Sequence, residues 1–166
     1  MGYNDELDRE IPIPSTESSV CEMYFEYGQT GLMAIQYIVN GNLVDTYYAV
    51  SNAQGDVVAL VDSSGTKVVE YTYDAWGKLT NMTGSKVGTV GKYNPIRYRG
   101  YVYDTETQLY YLNSRYYNPD VCRFINVDAY ISVGEDLLGY NMFAYCYCNP
   151  VNYIDIQGYT AQDIMD

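Results

Sequence analysis

Glycines 55, 65 and 77 each follow a short alternating apolar run, and they recur at spacings of ten and twelve residues. Runs this short, closed by Gly with Asn or Asp just upstream, are strands ended by tight turns and not helices. The pattern predicts strands over 23–27, 32–39, 42–50, 57–61, 67–73 and 78–82, with Asn40-Gly41 as a strong two-residue hairpin signal. Two further strands, 102–104 and 109–112, flank a hairpin loop at 105–108. A lone hairpin cannot bury its apolar face, so near-regular turns fit a repeat array in which neighbours cover one another. An ordinary antiparallel domain fits the spacing equally well at this point.

The apolar content is consistent with sheets. Hydrophobic residues make up 48% of the 166-residue chain, and 22 of them are Tyr, against three Phe. A Tyr ring packs across strands, and its hydroxyl seeks water or a backbone partner. Trp76 lies in a turn, where an aromatic ring packs over the neighbouring hairpin more often than it stacks on a sugar. A short helical turn is expected over 135–145.

With 21 acidic residues against nine basic, the net charge is −12. A phosphate-tracking nucleic-acid surface needs a basic stripe, so that partner class is excluded. The acidic surface reads as a solvated one, with attraction of a basic partner as the alternative. Four cysteines are too few and too irregular for a disulfide framework. Cys146-Tyr147-Cys148 would place both thiols on one face of a strand, but the chain has no His. Buried free thiols are expected, with no metal and no cofactor. No apolar run is long enough for a membrane span, and residues 1–20, rich in acids, Pro and Ser, read as a flexible lead-in without a secretory signal.

Four of the nine basic residues, Arg97, Arg99, Arg115 and Arg123, fall within 27 residues of one another. On a tyrosine-rich sheet, such side chains need carboxylate or backbone partners if buried. Asp104, Asp120, Asp128 and Asp155 are available. Arg97, Arg99 and Arg123 are expected as buried forks tying strands to loops.

The order of several blocks is more specific than the turn spacing. Tyr71-Thr72-Tyr73-Asp74-Ala75-Trp76-Gly77 resembles the YD repeat, with Tyr73, Asp74 and Gly77 at its defining positions. Downstream come Arg97-Tyr-Arg-Gly-Tyr101, Leu109-Tyr-Tyr-Leu-Asn-Ser-Arg-Tyr-Tyr-Asn-Pro119 and Arg123-Phe-Ile-Asn-Val-Asp128. Asn141-Met-Phe-Ala-Tyr145, Asn149-Pro-Val-Asn-Tyr-Ile-Asp155 and Gly158 complete the set. Over about residues 45 to 158 this resembles the RHS repeat-associated core of RHS/YD-repeat proteins.

The resemblance implies an all-β chain: antiparallel YD hairpins of a β-shell closing into the RHS-associated core domain. It divides the chain into a lead-in (1–20), YD-type hairpins (21–93), the core (94–158) and a short remnant (159–166). The family's shell encloses a C-terminal toxin, and its core plugs one end, so the implied partners are the remainder of a shell and its cargo. Exposed edge strands are also expected to favour self-association. The parent family is exported or sits at the cell surface.

In many members the core cuts its own chain after the last block, by aspartyl-protease-type chemistry. Carried over, the two carboxylates match Asp128 and Asp155, the guanidinium matches Arg115, and the cleavage region is Gly158, Tyr159 and Thr160. Two carboxylates held close resist joint ionisation, so one keeps a proton while the other serves as base. The family's Asp-Pro-x-Gly stands here as Asp128-Ala-Tyr-Ile131 and Asp155-Ile-Gln-Gly158, without either proline. Eight residues follow Gly158, too few for a cargo domain, so the chain reads as a truncated end of a longer protein.

Overall fold

The computed structural model describes residues 20–29, 31–127, 141–159 and 161–163. Asp128 and Thr160 lie outside the described residues, as do residues 1–19 and the 135–140 part of the expected helical turn. Its remainder, 141–145, forms turns and a bridge. Two compact units are present, residues 1–72 with 81–94 and residues 73–80 with 95–166.

The first unit is built on antiparallel strands in sequence order: β1 (Cys21–Gly28), β2 (Gly31–Val39), β3 (Asn42–Ser51), β4 (Val57–Val61), β5 (Lys67–Tyr73) and β6 (Leu79–Thr83). Each strand pairs with the next because a tight turn returns the chain at once. Register places Phe25 opposite Ile35, Ile35 opposite Tyr47, and Leu60 between Ala49 and Val69. Phe25, Ile35, Tyr47, Leu60 and Val69 are all buried, so this face is the core. On the other face Glu26, Tyr48, Val50 and Glu70 are exposed. Residues 84–94 fold back within the unit: Val90 is fully buried, and Tyr71 donates its hydroxyl to the Gly91 carbonyl at 3.0 Å.

The second unit carries a four-stranded antiparallel sheet, β7 (Val102–Asp104), β8 (Leu109–Tyr111), β9 (Tyr116–Asn118) and β10 (Arg123–Phe124), with β8 and β9 central. A two-stranded ladder pairs β11 (Tyr153–Ile154) with β12 (Gln162–Asp163). Its core is largely tyrosine: Tyr98, Tyr101, Tyr110, Tyr117 and Tyr145 pack with Leu112, Phe124 and Cys146, and Trp76 lies against them.

Burying that many hydroxyls requires partners, and the YD turn supplies three. Tyr98 donates to the Ala75 carbonyl at 2.9 Å, Tyr117 to Trp76 at 2.7 Å and Tyr110 to Gly77 at 2.8 Å. Burial also holds the Tyr101, Tyr110, Tyr117 and Tyr145 hydroxyls protonated well above the usual phenol range. Gly77 is required at this turn. Its φ is +86°, and an added Cβ would lie 2.4 Å from the Tyr98 ring.

Candidate functional site

Two turns of the second unit build the site. The first follows β8, where Asn113 adopts a left-handed φ of 62° and Ser114 N–H bonds the Leu112 carbonyl at 2.7 Å. That tight reversal turns Ser114 and Arg115 toward the second turn, 155–159, which follows β11. Gly158 lets the two backbones meet: its φ is +74°, and a Cβ there would sit 2.6 Å from the Leu112 carbonyl and 2.7 Å from Ser114 Oγ.

Arg115 and Asp155 form a buried ion pair. Nη2 of Arg115 lies 3.2 Å from Oδ2 of Asp155, and the side chains are 6% and 2% exposed. The guanidinium uses its other edges too: Nη1 donates to the Met142 carbonyl at 3.2 Å, and Nε donates to the Gly158 carbonyl. Its central carbon sits 3.6 Å from the Phe124 ring centroid, so the plane is stacked as well as bonded.

Asp155 spends its other oxygen on the backbone. Oδ1 accepts the N–H of Gly158 at 2.7 Å and of Tyr159 at 3.0 Å. Burial pushes this carboxyl above the usual carboxylate range, outweighing Arg115 and the N–H donors, which pull the other way. The main-chain carbonyl of Asp155 takes the Tyr101 hydroxyl at 2.7 Å. The Gly158 carbonyl also receives Ser114 Oγ at 2.6 Å.

The structure thus brings Arg115, Asp155, Gly158 and Tyr159 together. Arg97 and Arg99 are both buried, Arg97 with its guanidinium 4.6 Å from the Tyr103 ring centroid and Arg99 with Nη2 bonded to the Pro150 carbonyl. Arg123 departs from expectation and is exposed, its guanidinium 5.6 Å from the Phe143 ring. It lies on β10, an outer strand of its sheet, where alternation turns Phe124 inward and Arg123 out.

Cys148 also departs from expectation. Cys146, Tyr147 and Cys148 have φ of 49°, 50° and 60°, a left-handed turn in place of a strand. The turn buries Cys146 and exposes Cys148. The Cys146 thiol is pushed up to about 12, chiefly by burial, which leaves it unreactive. Among the described residues no group of three or more His, Cys, Asp or Glu could hold a metal ion. Among them, too, no helix is long and apolar enough to cross a membrane. Sequence reasoning passed over Ser114. Its signal was adjacency to Arg115, visible only once the turn at Asn113 is known.

Residues 14–149 match the Teneurin YD-shell family. The chain belongs to that family. It is an RHS/YD-repeat protein, with the all-β antiparallel architecture that the name implies. This YD-shell segment is 41% identical over 135 residues to the tRNA3(Ser)-specific nuclease WapA of Bacillus spizizenii, covering 81% of the chain and 6% of that protein. It is 42% identical over 113 residues to the tRNA(Glu)-specific nuclease WapA of Bacillus subtilis subsp. natto, covering 68% and 5%. Its fold resembles that in a crystal structure of TcdB2-TccC3-Cdc42, with a TM-score of 0.73, 22% identity, and coverage of 85% of this chain and 7% of that one. The chain therefore spans only about one-twentieth of the length of these curated relatives.

Proposed function

We propose that this chain is the terminal segment of an RHS/YD shell of a polymorphic-toxin-type protein, a structural plug that encloses or presents a C-terminal cargo. The observation that carries the reading is the bonding of the YD turn into the core. The carbonyls of Ala75, Trp76 and Gly77 are held by three core tyrosines, so the last hairpin tip folds as part of the unit that would close the shell. Two relatives named for nucleases of different tRNAs share this segment, which favours placing substrate choice outside it. The partners are the remainder of the shell and its cargo, in an exported or cell-surface parent. Replacing the matching stretch of the Bacillus spizizenii relative with residues 20–159 of this chain should leave that protein's tRNA choice unchanged. A hybrid that cut a different tRNA would overturn the reading. Self-association through the outer strands β1 and β6 belongs to the same reading, and a strictly monomeric chain at high concentration would remove it.

A second reading is favoured by the Gly158 carbonyl, which is gripped by a guanidinium and a hydroxyl beside a buried carboxyl. It is an aspartyl-type autoprotease that cuts its own chain near Tyr159, with Asp155, Asp128 and Arg115 as its machinery. Intact mass of the wild type beside Asp155→Asn and Asp128→Asn tests it. Loss of a short C-terminal peptide in the wild type alone supports cleavage. Full-length mass in all three leaves the plug as the whole function.

A further inference from the structure

We propose that a cleft at one end of the four-stranded sheet binds a small apolar zwitterion, a free α-amino acid of the leucine kind, between Lys78 and Asp120.

The cleft holds about 310 Å³, at the small end of the range in which ligand sites fall. Lys78, Leu79, Tyr103, Gln108, Pro119 and Asp120 line it, and all six belong to the second unit. Three returns of the chain converge there. Lys78 and Leu79 follow the Asp74–Gly77 turn, Gln108 ends the loop between β7 and β8, and Pro119 with Asp120 opens the one between β9 and β10. Gln108 adopts a left-handed φ of 62°, and its main-chain N–H is tied to the Asp104 carbonyl at 2.8 Å. Pro119 is buried, and Leu79 and Tyr103 are half-buried, so these three form a sheltered, largely apolar wall. Lys78, Gln108 and Asp120 are exposed and form a polar rim.

The rim selects the charge of the ligand. Lys78 Nζ and Asp120 Oδ1 are 2.8 Å apart, with the side chains 56% and 48% exposed. A pair so exposed adds little to stability, and opening it costs little. An anion that took Lys78 would leave Asp120 without its partner, and a cation that took Asp120 would strand Lys78. An α-amino acid carries both charges on one carbon. Its carboxylate meets Lys78 while its ammonium meets Asp120, so one ion pair becomes two. The Gln108 amide is a further donor for that carboxylate. An apolar side chain then lies on Leu79 and Pro119, away from water. A sugar fits less well. Sugars stack on an open aromatic face, and the Tyr103 ring is already packed, with the Arg97 guanidinium 4.6 Å and the Tyr110 ring 4.9 Å from its centroid.

The test is a titration of the isotope-labelled full chain followed through its amide resonances, with near-UV dichroism of the tyrosine core as the check of folding. L-leucine should shift the amides of Lys78, Leu79, Gln108 and Asp120 with a Kd of about 1 mM, the weak range expected for so small a ligand. N-acetyl-leucine lacks the ammonium, leucinamide lacks the carboxylate and glycine lacks the side chain. Each should bind at least about tenfold more weakly. Lys78→Met and Asp120→Asn should each weaken leucine binding by about tenfold or more, with the tyrosine spectrum unchanged. The absence of shifts at about 20 mM leucine overturns the proposal. So does either blocked form binding as well as leucine, which would make the cleft a site for one charge only. A variant that binds leucine as tightly as the wild type places the ligand elsewhere and overturns it too.

Discussion

Among the described residues, four turns share one sequence pattern, Asx followed by two residues and glycine, and one of them differs in what it does with the pattern. Asn52 to Gly55, Asp62 to Gly65 and Asp74 to Gly77 close hairpins. In each, the glycine N–H bonds the Asx main-chain carbonyl, while the side-chain oxygen takes the N–H groups two and four residues on. At Asp155 to Gly158 the main-chain carbonyl is taken by Tyr101, so the side chain accepts the glycine N–H and the next one. Asn52 and Asp74 are exposed and Asp62 is half-buried, but Asp155 is buried against Arg115. Hydrogen bonds, the Ser64 hydroxyl first, hold Asp62 below the usual carboxylate range, whereas burial lifts Asp155 above it. The motif supplies the same kind of donors in both places, and solvent decides the sign.

Breaking the ion pair should give the largest effect. Arg115→Ala leaves Asp155 as an uncompensated buried acid and should cost about 3–5 kcal/mol in urea denaturation at neutral pH. Lys78 sits in the exposed Asp74 turn and pairs with Asp120 at 2.8 Å, yet Lys78→Ala should leave the urea midpoint unchanged. Equal losses in the two variants would dissolve the distinction between the turns.

Glycine substitution sharpens it at smaller scale. All four glycines have left-handed φ, so alanine is strained at each. At Gly65 the space is open, and Gly65→Ala should cost roughly 1–2 kcal/mol from backbone strain alone. Gly77→Ala meets the Tyr98 ring and Gly158→Ala meets the Leu112 carbonyl, so each should add about 1–3 kcal/mol of overpacking. Thermal melts that ranked Gly65→Ala with the other two would mean that the close approaches relax freely.

These pairs also mark what the sequence could say. Strands β4 and β5 were legible to the residue, because alternation and a following glycine turn fix both ends of each. Arg115 and Asp155 could be named from block order, but their separation could not, because 39 residues lie between them and the outcome rests on two short turns. The left-handed Asn113 and the Cys146–Cys148 turn carry no glycine to announce them. Arg123 was misjudged for a related reason: clustering in sequence says nothing about which side of an outer strand a residue occupies.

The smallest effect, and the most direct test of the comparison, is the pH dependence of Asp155→Asn set against Asp62→Asn. The folded chain holds the Asp155 proton to higher pH than the unfolded chain does. Its contribution is therefore full below the usual carboxylate range and is lost as pH rises through the raised folded value. Stability of wild type relative to Asp155→Asn should fall with rising pH. Asp62 has the opposite shift, so its contribution is full above the usual range and is lost as pH drops through the lowered folded value. Wild type relative to Asp62→Asn should gain with rising pH, over a more acid window. Melts of the three proteins between about pH 3 and pH 7 separate the two slopes. Slopes of the same sign would mean that Arg115 and two N–H donors outweigh desolvation in the buried turn. Asp155 would then be a fixed anion, suited to orienting Arg115 and poorly suited to serving as the proton-bearing member of a carboxyl pair. Opposite slopes would keep it as a carboxyl that can hold and release a proton.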